Sequence, residues 1–249
     1  MGSLDQQVVI ITGASSGIGA ALARACSEQG AQVAVAARSK ERLARVAESC
    51  SGETLVVPCD VTVGAERRQL VDAVLARWGK VDVLVNSAGI GYYAPFEEID
   101  LASLRTLLEV DFVAVLAMTQ EVLRAMKPAG RGLIVQIAST GGLIAHAPNV
   151  SAYLAAKHAV VGMSRGLRRD LEGTGIRVQV ICPHLTDTGF FATGLGAEAM
   201  REVADRLRGH MDAAAQVAEG IVAEMGSDKF IVFPTDRSRK AYERLREAL

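Results

Sequence analysis

The sequence predicts an α/β fold: one doubly wound parallel sheet with helices on both faces, in a single domain spanning 1–249. Three observations predict it. Short apolar runs alternate with helical patterns along the chain, and no linker breaks the alternation. The segments between the runs are long enough for the crossovers that parallel strands need. The first apolar run leads through a glycine-rich turn straight into a helical stretch.

The elements follow in order. Strand 7–12 carries Val8-Val9-Ile10-Ile11, a buried strand by pattern, and helix 17–29 opens with Ala20-Ala21-Leu22-Ala23-Arg24-Ala25. Strand 32–37 ends at Ala36-Ala37 and leads to helix 40–50. Strand 54–58 ends at Val57-Pro58 and leads to helix 64–78. Strand 81–86 carries Val81-Asp82-Val83-Leu84-Val85 and precedes a long helix over 101–127. Strand 132–138 carries Leu133-Ile134-Val135-Gln136-Ile137, and helix 151–172 follows. The last elements are strand 176–182, helix 213–225 and strand 229–233. The charged run from Asp236 to Leu249 places Tyr242, Leu245 and Leu249 on one helical side, as a helix docking on the body of the protein would.

Composition narrows the function classes. Half of the 249 residues are hydrophobic, enough for a sizeable core. Only 4% are aromatic, which argues against base-stacking surfaces for nucleic acid. A net charge of −1 gives no global pull toward nucleic acid or an anionic membrane. The four cysteines, Cys26, Cys50, Cys59 and Cys182, contain no Cys-x-x-Cys and read as reduced thiols of a cytoplasmic protein. Cys182 and His184 have no second cluster to make a metal site, so no metal is expected. No membrane span or secretory segment is expected either. Met1-Gly2 lacks the Ser or Thr that a myristoylation start needs at Gln6, and nothing is drawn from Met1-Gly2-Ser3.

Two local patterns carry chemistry. Thr12-Gly13-Ala14-Ser15-Ser16-Gly17-Ile18-Gly19 joins a strand to a helix N-terminus. Free backbone N–H groups and the helix dipole make such a junction an anion site, and glycines allow a pyrophosphate to approach closely. Farther on, Tyr153 and Lys157 lie four apart, on one helix face among small residues. A free tyrosine titrates near ~10, and to exchange protons near neutrality it must fall by about 3 pH units, or about 4 kcal/mol. Two unit charges ~4 Å apart at an effective dielectric of ~20 interact by about 4 kcal/mol. One lysine is therefore expected to suffice for the tuning.

With these patterns on the page, the chain resembles the classical short-chain dehydrogenase/reductase family over about Val8 to Thr188. The glycine turn is similar to that family's Thr-Gly-x-x-x-Gly-x-Gly, and Asn86-Ser87-Ala88-Gly89 to its Asn-x-Ala-Gly. Ser139 stands at its catalytic serine, Tyr153 and Lys157 at its Tyr-x-x-x-Lys, and Pro183 and Thr188 at its Pro-Gly and following threonine. The resemblance implies a Rossmann-type sheet and a nicotinamide cofactor held by Gly13, Ser15, Ser16, Gly17, Ile18, Gly19, Asp60, Val61, Asn86, Ala88, Gly89, Pro183 and Thr188. It implies that Tyr153 donates and removes a proton at the substrate oxygen, that Ser139 orients that oxygen, and that Lys157 also holds the nicotinamide ribose. Thr140 stands next to Ser139 as a second hydroxyl able to share its role.

The end of the second strand bears on cofactor choice. Ala36-Ala37-Arg38-Ser39-Lys40 offers no carboxylate to hold ribose hydroxyls or repel a 2′-phosphate. Arg38 offers a planar fork and Ser39 a hydroxyl, so NADP(H) is expected over NAD(H). Asp60 could also cap the next helix. Two positions depart from the family. Asp111 stands where an asparagine usually supports a proton-relay water; charged and near Lys157, it would oppose the lysine's effect on Tyr153. The alternative for it is a satisfied helix carboxylate. His184 replaces a glycine and is expected to approach the nicotinamide or substrate, or else to face solvent.

A substrate lid is expected near 189–212, with hinge glycines and an apolar surface from Phe190, Phe191, Leu195 and Met200. The long helices 101–127 and 151–172 carry more apolar residues than covering a sheet requires, so a homodimer or homotetramer is expected through them. The expected activity is interconversion of a ketone or aldehyde and an alcohol on an apolar small molecule. A cofactor-binding regulator with the same fold and little turnover is the alternative, favoured by Asp111 and His184 and disfavoured by intact Ser139, Tyr153 and Lys157.

Overall fold

The computed structural model describes residues 4–145, 147–196, 205 and 207–247. Along the chain run β1 (Val8–Thr12), α1 (Gly17–Glu28), β2 (Gln32–Ala37), α2 (Lys40–Glu48), β3 (Thr54–Pro58), α3 (Gly64–Trp78) and β4 (Val83–Asn86). Then come α4 (Leu101–Leu108), α5 (Ala114–Ala129), β5 (Gly132–Ile137), α6 (Ser151–Asp170) and β6 (Ile176–Ile181). The last part holds β7 (Thr186–Asp187), α7 (Phe190–Thr193), β8 (Asp212–Ala213), α8 (Ala214–Glu224), β9 (Ile231–Val232) and α9 (Asp236–Glu247). Seven parallel strands form one sheet in the order β3-β2-β1-β4-β5-β6-β9, and β7 pairs with β8 apart from it.

The period of two along each strand sorts the core into two layers. Val9, Ile11, Val33, Val35, Val83 and Val85 pack on the side of α1 and α8. Val8, Ile10, Ala34, Ala36, Leu84 and Ile134 pack on the other side, with Leu70 and Val74 of α3 and Met118 and Val122 of α5. Burying one such aliphatic side chain is worth about 1.5–3 kcal/mol. Because both faces are used this way, a ligand crevice must lie at the strand ends. Strand order reverses between β1 and β4, so the crevice is expected at their C-terminal ends.

Several boundaries differ from the sequence reading. Strand 81–86 begins at Val83, since Asp82 spends its side chain accepting from the Val8 N–H at 2.9 Å. Strand 229–233 shrinks to Ile231–Val232 at the sheet edge. The helix expected over 101–127 is broken by a π-helical turn at Glu109–Val113, which brings Asp111 inward. Such inserted turns are frequent at functional sites.

The expected apolar patch on the long helices is narrower than the composition implied. Leu107, Val115, Met118, Val122 and Met126 are buried within the chain, and Leu101 and Val113 are exposed, beside Phe96. The helix expected after Asp236 is present, but Ser238 and Ala241 are its buried residues, and Tyr242 stacks on Phe233 at 5.0 Å. Leu249, Met200 and Met1-Gly2-Ser3 lie outside the described residues. No described helix is long and apolar enough to cross a membrane.

Candidate active site

At the C-terminal end of β1 the glycines are dictated by space. Gly13 has φ +68°, and a Cβ there would lie 2.6 Å from the Ala88 backbone. A Cβ on Gly19 would lie 2.5 Å from the Gly13 carbonyl oxygen. Gly17, at φ +55°, brings the turn to Thr188, whose methyl would be 3.2 Å from an added Cβ. The Thr12 hydroxyl oxygen accepts from the Ser87 and Ala88 N–H groups at 3.2 and 3.3 Å and locks this turn to the loop after β4.

The start of α1 fits an anionic group. Helix α2 has the Ser39 side chain as its cap, and α4 has Asp100. Helix α1 has no side-chain cap and no acidic residue in its first turn, and Ser16 beside it is exposed. Its first N–H groups are thus left to a ligand, and the dipole favours negative charge. Arg38 is exposed at the end of β2, and Ala37 precedes it. The Ser39 hydroxyl, expected to be available to phosphate, instead accepts from the Arg42 N–H at 3.3 Å and donates to Glu41 at 3.1 Å.

Asp60 does not cap α3, whose cap position is Val63. It closes a local turn instead, accepting from the Thr62 N–H at 2.9 Å and the Thr62 hydroxyl at 2.7 Å. Burial alone would raise Asp60, but those two bonds and the Arg38 charge outweigh it and hold the carboxyl below its usual range. Val61 is buried next to it. Asn86, expected among the cofactor contacts, commits its buried side-chain amide elsewhere. It donates to Thr119 at 3.1 Å and to Gln136 at 2.9 Å, tying β4 to β5 and α5. Ala88 and Gly89 follow at the mouth of the crevice, with Gly89 facing Asp111: a Cβ there would lie 3.1 Å from the carboxylate.

The ends of β5 and β6 and the start of α6 converge on the second half of the site. Ser139 begins a short turn, Thr140–Gly142, and its oxygen accepts from the Gly141 N–H at 3.0 Å. A Cβ on Gly142 would be 2.8 Å from the Lys157 carbonyl oxygen, so this glycine lets the turn rest directly on α6. That contact brings Ser139 close enough to Tyr153 to pull its phenol downward. Thr140 takes another course. Its hydroxyl oxygen lies 2.9 Å from Nδ1 of His184, and its N–H donates to the Pro183 carbonyl at 2.8 Å. His184 is therefore anchored to the floor of the site.

Lys157 is buried, with Nζ 5.6 Å from the centre of the Tyr153 ring. Nζ pairs with Oδ2 of the fully buried Asp111 at 3.0 Å and donates to the Ile137 carbonyl at 3.3 Å. The other Asp111 oxygen accepts from the Ile90 N–H at 2.7 Å. Asp111 is thus the ion-pair partner of the lysine, with one oxygen hydrogen-bonded and the other held by the ion pair alone.

This arrangement corrects the expectation that Lys157 alone brings Tyr153 down. Tyr153 is half-buried, and desolvation raises its phenol above the ordinary value. Lys157 and Ser139 pull it down, while Asp111 pushes it up, and the net direction is upward. Burial would lower Lys157, but Asp111 and Tyr153 hold its net shift upward. Burial also keeps Asp111 above the usual carboxylate range despite Lys157.

The segment expected to be a lid starts beside this group, and its residues 197–204 and 206 lie outside the described residues. Phe190 meets the Tyr153 ring edge-on at 5.7 Å, and Phe191 meets Phe190 at 5.9 Å. Leu195 is tied to the loop after β4 by a bridge to Tyr92. Thr188, beside Gly17, accepts from the Phe190 N–H at 3.2 Å. Tyr93 stacks on Phe191 at 6.1 Å and was not singled out from sequence. The signal for it was a Tyr-Tyr pair just after Asn-x-Ala-Gly in a chain with four tyrosines. Burial pushes the Cys182 thiol up to about 12, so it is no thiolate ligand. Among the described residues no group could hold a metal ion.

The comparisons agree with this geometry. The short chain dehydrogenase family model matches residues 7–199. A cis-4-hydroxycyclohexanecarboxylate dehydrogenase of Sinomonas cyclohexanicum is 37% identical over 227 residues, 90% of each chain. A short-chain dehydrogenase/reductase of Burkholderia phymatum, solved with NAD, superposes with a TM-score of 0.87 at 27% identity, covering 100% of this chain and 95% of its own. A variant of actinorhodin polyketide ketoreductase, solved with NADPH, superposes with a TM-score of 0.78 at 34% identity, covering 90% and 92%. Glycine turn, serine, tyrosine and lysine stand together at the end of one parallel sheet, and the chain belongs to the short-chain dehydrogenase/reductase family, as an NAD(P)-dependent oxidoreductase of carbonyl and alcohol groups.

Proposed function

We propose that the protein is an NADP(H)-preferring reductase or dehydrogenase that interconverts a ketone or aldehyde and an alcohol on an apolar small molecule. The carrying observation is the Tyr153 ring 5.6 Å from the buried Lys157 ammonium, with Ser139 at the end of β5 beside them. Ser139 holds the substrate oxygen in place. In reduction Tyr153 passes its proton to that oxygen, and in oxidation it takes the proton back. The nearby Lys157 charge stabilises the phenolate left behind. A bound nicotinamide supplies or accepts the hydride.

The backbone from Gly13 to Gly19, with Ser15 and Ser16, holds the pyrophosphate at the uncapped start of α1. Asp60 and Val61 border the adenine. Ala88, Gly89, Pro183 and Thr188 line the nicotinamide end, and Lys157 reaches its ribose. Arg38 supports the choice of NADP(H), since it is exposed and the adjacent Ala37 carries no acid to compete. His184 and the lid's Phe190 border the substrate, and the apolar ring of Phe190 beside Tyr153 favours an apolar substrate. Exposed Leu101 and Val113, together with Gly162 and Gly166 of α6, which have open space at their Cβ positions, support a homodimer or homotetramer through these helices. A cytoplasmic setting suits the four free thiols.

Steady-state rates with NADPH and NADH over a panel of apolar ketones and alcohols test the reading. A higher kcat/KM with NADPH is expected. A preference for NADH overturns the cofactor assignment, and absence of turnover with either cofactor across the panel overturns the substrate class.

A further inference from the structure

Tyr92 and Tyr93 are neighbours with opposite fates. Their backbone is extended against the lid: the Tyr93 N–H donates to the Leu195 carbonyl at 3.0 Å, and the Leu195 N–H donates to the Gly91 carbonyl at 2.9 Å. Consecutive side chains of an extended segment point to opposite sides. Tyr92 packs with Leu107, Ala152 and Ala156, and its hydroxyl accepts from the Asp100 N–H at 2.7 Å. Tyr93 turns the other way, toward the lid. Its ring begins an aromatic series that runs through Phe191 and Phe190 to Tyr153 at centroid steps of 6.1, 5.9 and 5.7 Å.

Tyr93 is 3% exposed, and its hydroxyl has no hydrogen-bond partner among the described residues. Two glycines pack directly against it. A Cβ on Gly91 would lie 2.5 Å from the hydroxyl oxygen, and one on Gly194 would lie 2.9 Å from the ring. A buried polar group left unmade is costly and calls for an explanation. Burial, with the charges of Tyr153 and Asp111, raises the phenol, so it stays neutral and able to donate. The aromatic series links its ring, through Phe191 and Phe190, to Tyr153.

We propose that Tyr93 determines specificity: its hydroxyl binds a second oxygen of the substrate, a hydroxyl or carbonyl set apart from the carbon that exchanges hydride. This rests on the carbonyl–alcohol reading of the site. A site built around such a hydrogen bond discriminates strongly against the analogue lacking the oxygen, because its own polar group is then stranded. The preferred substrates are accordingly bifunctional: apolar in the part under Phe190, with one further polar oxygen for Tyr93.

The test compares wild type with Tyr93→Phe on cyclohexanone, 3-hydroxycyclohexanone and 4-hydroxycyclohexanone, with NADPH and NADH. The expected wild-type result is a kcat/KM at least about tenfold higher for a hydroxycyclohexanone than for cyclohexanone. Tyr93→Phe is expected to remove that preference, leave cyclohexanone turnover within about threefold, and unfold at an equal or higher temperature, since it deletes a stranded hydroxyl. Equal selectivity in the two proteins overturns the proposal. So does an equal loss on all three ketones, which marks a general structural role. Thermal unfolding with added 3- or 4-hydroxycyclohexanone reads the same contact without turnover. A stabilisation that shrinks in Tyr93→Phe supports the proposal even where the activity assays fail, and one that is unchanged or absent in both overturns it.

Discussion

The nucleotide side of the sheet and the chemistry side are held by different means. Around β1 and α1 the site is backbone: Gly13 and Gly19 fit only because they lack a Cβ, and the uncapped helix start offers N–H groups. Around β5 and α6 the site is side chain and charge. Lys157 and Asp111 are buried as a pair, Oδ2 of Asp111 has the ion pair but no well-aligned hydrogen bond, and the Tyr93 hydroxyl has no partner among the described residues. The first half is shaped by exclusion of volume and tolerates few substitutions for steric reasons. The second holds polar capacity in reserve, and its behaviour depends on which neighbouring charge dominates.

The largest effect expected is on the chemistry side. Tyr153→Phe removes the proton donor and is expected to lower kcat by about 10²–10⁴, with cofactor affinity nearly intact. Single-turnover rates and cofactor titration check this, and residual activity within tenfold of wild type would remove Tyr153 from the acid–base role.

Next comes the nucleotide side. Gly13→Ala places a Cβ 2.6 Å from the Ala88 backbone at a left-handed φ of +68°. Strain and overlap together are expected to cost about 3 kcal/mol, or roughly 6–12 °C in Tm for a chain of this size. A calorimetric Tm equal to wild type would mean that the turn has room to relax and that its glycine is not sterically required.

Arg38→Ala is expected to weaken NADPH binding about 10–100-fold by removing a charge-assisted phosphate contact, with NADH affinity little changed. Titration with both cofactors tells the two sides apart, since Arg38 lies far from the proton-transfer groups. Equal weakening of both cofactors would mean that Arg38 supports the fold of the loop and does not read the phosphate.

The smallest expected effect is a displacement of pH dependence. Tyr153 is held above its ordinary value, so its phenol stays protonated through neutrality. Reduction, which needs the proton, should be flat across neutral pH and fall only under alkaline conditions. Oxidation, which needs the phenolate, should rise into the alkaline range. Asp111→Asn removes a negative charge that pushes Tyr153 up. Both alkaline limbs should then move to lower pH. An unmoved or opposite displacement would show that Asp111 acts on Tyr153 by position and not by charge.

The sequence by itself determined the parts that depend on near neighbours. The strand runs, the glycine turn and the start of α1 were legible because period, steric need and helix termini are local properties. So were Ser139, Tyr153 and Lys157, through motif order along the chain. Tertiary structure alone decided how those groups behave. Asp111 was legible as a departure, but its 3.0 Å pairing with Lys157 comes from a π turn in one helix meeting another. The upward shift of Tyr153 follows, since desolvation depends on everything packed around a group and on none of its sequence neighbours alone. Asn86 and Ser39 stand at expected cofactor positions, and the Asn86 side-chain NH2 bonds to α5 and β5 while the Ser39 hydroxyl caps α2. Part of the apolar excess of the long helices went into the core, as at Leu107, Met118 and Val122, because composition counts residues and cannot say which face they take. Tyr93 was invisible for the same reason: whether a tyrosine hydroxyl finds a partner is settled only when chain segments distant in sequence close around it.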